Sequence, residues 1–237
     1  MKSTILSVKL VNEELSTLSE SIYDIVILGA GSGGYATALR AAQLGMKVAL
    51  IDGDKVGGTC LHRGCIPTKA YLHAAETAEA VRESAKFGVN STFNGIDMAQ
   101  VGAYRDSVIS GLYKGLRGLL KSRKVELISG WGHLADANTI EVGGQRITGR
   151  NIVLATGSYS RSIPGLDIGG RIISSDQALQ MNWVPSSVVI LGGGVIGLEF
   201  ASVWRSFGAE VTIIEALPHL ANNEDEAISK QLERAYR

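Results

Sequence analysis

The stretch "YDIVILGAGSGGYATALRAAQLGMKVALID", Tyr23 to Asp52, contains a β-branched run, a glycine-rich turn, a helix-period segment closed by Gly45, and a second apolar run ending in a carboxylate. It occurs twice. Offset by 163 residues and without a gap, "SSVVILGGGVIGLEFASVWRSFGAEVTIIE", Ser186 to Glu215, repeats it with ten of thirty positions identical and with Gly208 in the place of Gly45. A short β-branched run, a 3.6-period run and a second apolar run joined by short turns make a β-α-β unit.

Each copy places the pattern G-x-G-x-x-G between its first strand and its helix, as Gly29, Gly31, Gly34 and as Gly192, Gly194, Gly197. The first glycine permits the turn, the second lets backbone approach a pyrophosphate, and the third lets helix pack on strand. Phosphates then meet the helix N-terminus, where free N–H groups and the dipole favour negative charge. Asp52 and Glu215 each follow the first glycine by 23 residues, where a carboxylate can hydrogen-bond a ribose 2′-hydroxyl. An acid there repels a 2′-phosphate, so a nicotinamide cofactor in the second copy would be NAD rather than NADP. The expected fold class is α/β with two Rossmann-like dinucleotide-binding units, the second incomplete.

Between the copies the pattern changes. A long helix is expected after Pro67 through "AYLHAAETAEAVRESAKF", and another over roughly Met98 to Lys124. Strand-like runs follow in "VELISGWG", "TIEVGG" and "NIVLATG", the last entering the small-residue turn Ala155-Thr156-Gly157, as where a sheet edge meets a ligand. The expected organisation is an N-terminal extension at 1–21, the first part of an FAD-binding domain at 22–160, and the start of an NAD-binding domain at 161–237.

Composition excludes several partners. Lys plus Arg and Asp plus Glu both number 23, so no basic excess points to nucleic acid or an anionic membrane surface. Glycine is the outlier at 29 of 237 residues, and without a serine or proline bias it serves turns and ligand approach rather than linkers. The apolar runs are too short to span a bilayer, and "MKSTILSVKLVNEELSTLSE" breaks its apolar start at Lys9, unlike a secretory signal. A cytoplasmic location is expected.

Both cysteines, Cys60 and Cys65, lie in "GGTCLHRGCIPTK", Gly57 to Lys69. The spacing alone allows a structural staple, half a metal site or a redox pair. A reducing compartment disfavours the staple. His62, His73, His133 and His219 form no zinc pattern with the cysteines, and no metal is expected. In a regular helix, positions i and i+5 lie too far apart for a disulfide, so bridging would need a distorted first turn, to which Gly64 and Pro67 are suited. Lys69, four residues after Cys65, would share its helix face and help to hold a thiolate.

The order "GAGSGG", "GGTCLHRGCIPTK", "ATGS", "GGGVIGLEFA" resembles the flavin-dependent pyridine nucleotide–disulfide oxidoreductases from about Ile22 onward. Within that family the chain is most similar to the dihydrolipoamide dehydrogenases, with His62-Arg63 standing where Asn-Val is common. Glu215 separates it from the NADP-dependent glutathione reductases, and the cysteine pair separates it from soluble transhydrogenases. Mercuric and mycothione reductases share the cysteine spacing.

The resemblance implies a Cys60–Cys65 redox disulfide, with Cys60 as the interchange thiol and Cys65 donating charge to flavin. It also implies a pairing of Lys69 with Glu199. Further FAD contacts are implied at Gly33, Gly58, Thr59, Lys69, Gly132, Ala155, Thr156 and Gly157, and electrons would pass from a dihydrolipoyl dithiol through disulfide and FAD to NAD. The implied partners are the lipoyl domain of a 2-oxo acid dehydrogenase complex or a glycine cleavage protein, and a second copy of the chain as homodimer. The family's histidine base has no counterpart here, and the expectation is an N-terminal half with little turnover on its own, or a flavin-binding fragment without catalysis.

Overall fold

The computed structural model describes residues 22–236, so the extension expected at 1–21 lies outside the described residues. The chain divides into two compact units: residues 22–59 with Tyr113–Ser158, and Cys60–Leu112 with residues 159–236.

The first unit is built on a six-stranded sheet. Its elements are β1 (Tyr23–Leu28), α1 (Ser32–Gln43), β2 (Val48–Asp52), β3 (Glu126–Ser129), β4 (Gly132–Asp136), β5 (Thr139–Val142) and β6 (Gln145–Leu154), in the sheet order β3-β2-β1-β6-β5-β4. Strands β3, β2, β1 and β6 run parallel, whereas β4 and β5 join β6 antiparallel. Side chains alternate in both central strands. Ile25, Ile27, Val48 and Leu50 face Ala38 and Ala41 of α1, with Leu120 and Val125 completing that core. Val26, Ala49 and Ile51 face the other way, onto Ile140 and Val142 of the antiparallel hairpin. A sheet covered on both faces needs unbroken apolar strands, which is how "IVIL" and "VALI" read.

The sequence expectation for β6 began at Asn151, but the strand starts at Gln145. Gly143 and Gly144 both have positive φ, 57° and 78°, as a two-residue hairpin turn with the twist of its strands demands. This turn lets "QRITG" pair with β5 before the chain moves on to β1, with Thr148 opposite Thr139 and Gly149 opposite Tyr23. "GHLAD" also forms a strand of its own, β4, which the reading of "VELISGWG" as one run did not separate.

The second unit holds most of α2 (Gly58–His62), α3 (Cys65–Glu83), the first half of α4 (Met98–Ser122), α5 (Ser175–Ala178), β7 (Ser187–Leu191), α6 (Val195–Phe207), β8 (Glu210–Ile214) and α7 (Glu226–Tyr236). Strands β7 and β8 form a parallel two-stranded sheet. Its core joins Tyr71 and Ala75 of α3 to Phe200, Val203, Trp204 and Phe207 of α6, over Val188, Ile190 and Val211 of the sheet. The helix expected from Met98 to Lys124 ends at Ser122, and Lys124 adopts a positive φ of 57° as the chain turns into β3. Among the described residues no helix is long and apolar enough to cross a membrane.

Candidate active site

The two glycine-rich turns have the same hydrogen bonds at positions 163 residues apart. Gly29 and Gly192 leave their strands at φ +100° and +108°, which only glycine adopts without strain. Their N–H groups donate to the carbonyls of Ile51 and Ile214, at 2.7 and 2.8 Å, and so tie each turn to the next strand. Gly31 and Gly194 are the N-caps of α1 and α6; neither supplies a side-chain cap, and neither helix has an acid in its first turn. A Cβ on Gly34 or Gly197 would fall on the carbonyl oxygen of Gly29 or Gly192. An uncapped helix N-terminus beside backbone stripped of side chains fits a dinucleotide pyrophosphate in each copy.

The acids close the same loops. Asp52 accepts from the Ala30 N–H at 2.5 Å and from the Asp54 N–H at 2.8 Å. Glu215 accepts from Gly193 at 2.7 Å and Leu217 at 2.8 Å. Those backbone donors, Leu217 first, lower the Glu215 pKa below the ordinary carboxylate value, so the group is ionised at neutral pH. Each carboxylate therefore stands at the rim of its own glycine-rich turn. The amides of Ala30 and Gly193 were not singled out by sequence, because any non-proline residue supplies an N–H.

Cys60 and Cys65 are joined as a disulfide with their Cα atoms 4.6 Å apart. The distance becomes short because the helix is interrupted: α2 ends at His62, Gly64 takes φ −143° and ψ −109°, and α3 starts at Cys65. Pro67 is buried in the first turn of α3, where no N–H is needed. Cys65 thus heads a 19-residue helix with no side-chain cap and no acid in its first turn. Once the disulfide opens, the helix dipole favours the Cys65 thiolate over the thiol.

Lys69, one turn into α3, places Nζ 2.5 Å from Glu199 Oε1 on α6. The lysine side chain is 58% exposed and the glutamate 21%, so the pair fixes an orientation more than it adds stability. Two residues on, the buried Tyr71 hydroxyl donates to the Leu179 carbonyl at 2.9 Å. The buried Arg105 guanidinium donates to the same hydroxyl at 3.0 Å and to the same carbonyl, and pairs with Asp106 at 2.8 Å. This network anchors α3 to α4 and to the segment after α5.

The remaining expected positions fall as follows. Gly33 lies in the first turn of α1, and Gly58 and Thr59 open α2; a Cβ on Gly58 would come within 2.5 Å of Gly31 Cα, so these two backbones meet. Ala155, just after β6, donates its N–H to Leu28 at 2.8 Å, and its carbonyl blocks any side chain on Gly29. Thr156 and Gly157 are exposed beyond it. Gly132 opens β4 and has no room for a side chain. Gly29, Gly31, Gly34, Asp52, Gly58 and Ala155 are thus gathered in the first unit, and Cys60, Cys65, Lys69, Glu199 and the Gly192 turn belong to the second. Trp131, beside Gly132, stands over Gly53 and was missed by sequence reading. His73, His133 and His219 face Glu76, Glu141 and Glu233, at 3.5, 3.7 and 3.0 Å. Among the described residues no group of three or more His, Cys, Asp or Glu could hold a metal ion.

Residues 23–237 match the family described as Pyridine nucleotide-disulphide oxidoreductase. The chain is similar to the Dihydrolipoyl dehydrogenase of Bacillus subtilis (strain 168), 40% identical over 225 residues covering 89% of this chain and 48% of that protein. It is similar also to the Dihydrolipoyl dehydrogenase of Acholeplasma laidlawii, 41% identical over 212 residues covering 87% of this chain and 63% of the relative. Among solved structures it is similar to the HOCl-induced flavoprotein disulfide reductase RclA from Escherichia coli, with a TM-score of 0.74 and 29% identity over 90% of this chain and 46% of that one. The chain spans about half the length of most of these relatives. A doubled β-α-β unit with matched glycine turns, a cysteine pair at a broken helix start, and a family match over nearly all the described residues agree: the chain belongs to the pyridine nucleotide-disulphide oxidoreductases.

Proposed function

We propose that this chain carries the disulfide-exchanging and dinucleotide-binding half-sites of a dihydrolipoyl dehydrogenase. The observation that supports the reading is the Cys60–Cys65 disulfide at the head of α3, on the helix whose Lys69 pairs with Glu199 beside the second glycine-rich turn. In this reading residues 22–160 serve FAD and residues 161–237 serve NAD. Gly29, Gly31, Gly33 and Gly34 take the FAD pyrophosphate and Asp52 its ribose, with Gly58, Thr59, Gly132 and Ala155 to Gly157 lining the rest. Gly192, Gly194, Gly197 and Glu215 do the same for NAD, where the ionised Glu215 rejects a 2′-phosphate.

A dihydrolipoyl thiolate attacks Cys60 Sγ, the Cys60–Cys65 bond breaks, and Cys65 leaves as a thiolate favoured by the α3 N-terminus. The second lipoyl thiol then displaces Cys60, forming lipoamide and leaving both cysteines reduced. FAD, which the Gly29–Gly34 turn and Asp52 would hold, would supply the two-electron relay between that dithiol and NAD⁺. Lys69, oriented by Glu199, holds positive charge near the thiolate. The partners are the lipoyl domain of a 2-oxo acid dehydrogenase complex or a glycine cleavage protein, and a second copy of the chain, in the cytoplasm.

The half-reaction is testable without turnover. The oxidised protein is mixed anaerobically with dihydrolipoamide, and free thiols are titrated after the small molecules are removed. The reading expects two new protein thiols and one lipoamide, both lost in Cys60→Ser. A protein whose disulfide ignores dihydrolipoamide but exchanges with mycothiol, or which reduces mercuric ion, would overturn the substrate assignment in favour of the reductases with the same cysteine spacing.

A further inference from the structure

The zero net charge of the chain conceals a segregation. In the first unit, residues 22–59 and Tyr113–Ser158 carry ten Lys and Arg against six Asp and Glu. Five of the ten, Lys114, Arg117, Lys121, Arg123 and Lys124, fall within eleven residues at the C-terminal end of α4. From Ser107 to Val125 there is no acid, and the next, Glu126, opens β3. All five cations are exposed, and among the described residues none pairs with a carboxylate. Arg117 stands over the Tyr113 ring, 5.7 Å from its centroid.

Elsewhere the chain neutralises such groups locally. Arg82 meets Glu79, Lys86 meets Glu83 and Lys230 meets Glu226, each about one turn away. On α4 the neighbours at i+3 and i+4 are instead of like charge, Lys114 with Arg117 and Arg117 with Lys121, which destabilises an isolated helix. The helix dipole favours cations in the last turn, and so accounts for Lys121, Arg123 and Lys124. Lys114 and Arg117 lie before that turn, since α4 ends at Ser122.

Packing gives the cations a single direction. Tyr113, Leu116 and Leu120 point inward, against Ile25, Ile27, Ala38 and Leu50. With 3.6 residues per turn, Lys114, Arg117 and Lys121 then form one flank of the outer surface. The middle of that surface is bare, because a Cβ on Gly115 or Gly118 would meet nothing within 4 Å. Leu119 stands on the far flank, 44% exposed. We propose that this face of α4 docks an acidic amphipathic helix of another protein, with its carboxylates on Lys114, Arg117 and Lys121 and its apolar side on Leu119. Charge complementarity selects that partner, and the glycines set how closely its backbone can approach. No aromatic side chain lies between Lys114 and Lys124, as stacking on nucleic acid bases would use, and one exposed leucine is too little apolar surface to anchor in lipid. The proposal is independent of the substrate assignment, so neither falls with the other.

The probe is a labelled helical peptide of about twenty residues with glutamate along one face and leucine along the other, titrated with the whole chain and followed by fluorescence anisotropy. Binding should weaken as salt is added. Lys114→Glu combined with Arg117→Glu and Lys121→Glu should weaken it at least about tenfold. Gly115→Leu combined with Gly118→Leu fills the bare lane and leaves every charge in place, and should also weaken it, on the order of tenfold. Lys86→Gln, outside the patch, should leave it unchanged. The substituted positions are exposed and leucine suits a helix better than glycine, so the variants should fold, which circular dichroism checks. Equal binding by the wild-type protein and either combined variant would overturn the proposal. So would the absence of peptide binding, or tighter binding of a DNA duplex or of phosphatidylglycerol vesicles, which would give the patch to nucleic acid or to a membrane. A gain in peptide affinity on removal of residues 1–20, which include Glu13, Glu14 and Glu20, would assign the face to the chain's own acidic start and overturn it as well.

Discussion

Val26 and Val189 occupy the same position in two copies of one β-α-β unit, and the first is fully buried while the second is 67% exposed. The copies agree wherever the sequence acts locally: both turn at a glycine near φ +100°, both close on a carboxylate, and both keep one strand register, with Ile25 opposite Val48 and Val188 opposite Val211. They differ wherever neighbours decide. In the first copy β6 and β3 flank the central pair, and the hairpin residues Ile140 and Val142 cover its second face. In the second copy, among the described residues, β7 and β8 pair only with each other, and Val189, Leu191 and Ile214 are exposed on the face away from α6. A β-α-β unit thus encodes its turn and its pairing, while the worth of its apolar residues depends on what packs against them.

The widest contrast should come from placing a charge at the matched valines. Val26→Asp buries an unpaired carboxylate and should abolish cooperative unfolding of the first unit, a cost of at least about 4 kcal/mol. Val189→Asp should change stability by no more than about 0.5 kcal/mol. Urea denaturation followed by circular dichroism reads both, and equal losses would break the comparison.

The third glycines should behave more alike. Gly34→Ala and Gly197→Ala each drive a Cβ into a carbonyl oxygen and should each cost roughly 2 kcal/mol. The loss at Gly197 should be the smaller of the two, because a two-stranded sheet with open edges can relax. A larger loss at Gly197 would show that the second copy is as tightly held as the first.

Within the second unit, Tyr71→Phe removes one donor while Arg105 still serves the Leu179 carbonyl, and it should cost about 1 kcal/mol. Arg105→Met should cost more, since both the Leu179 carbonyl and Asp106 lose a partner. The smallest effect is one of pH. Burial, opposed by Arg105, raises the Tyr71 pKa above the ordinary 10.0. Its stabilising contribution is therefore complete below pH 10 and is lost as the pH rises through the higher folded value. Ultraviolet titration should find one tyrosine ionising after the exposed ones, and Tyr71→Phe should remove that late step.

Parts of the site were readable from residue types because their function depends on local geometry. Gly29 and Gly192 must be glycine at positive φ, and Asp52 and Glu215 sit at a fixed distance along the chain from them. The cysteines were less readable: a separation of five allows several chemistries, and the break at Gly64 that brings their Cα atoms to 4.6 Å is a matter of backbone path. Trp131 and Arg105 could not be found at all. One is a solvent-facing aromatic whose seat, Gly53, is distant in sequence, and the other is a cation that looks like any surface arginine until Tyr71 and Leu179 close around it.

By itself, the sequence determined the α/β class, the doubled unit, the two turns and the residues able to do redox chemistry, because each of these follows from periodicity, from glycine's freedom or from the reactivity of a thiol. Only the tertiary structure decided which valine is buried and that β6 serves two partners, and it brings Lys69 to Glu199 across 130 residues of chain, a pairing that the family resemblance had implied and that no residue pattern could show. Burial and ion pairing depend on distances in space, and those are set by packing between segments that the chain keeps far apart.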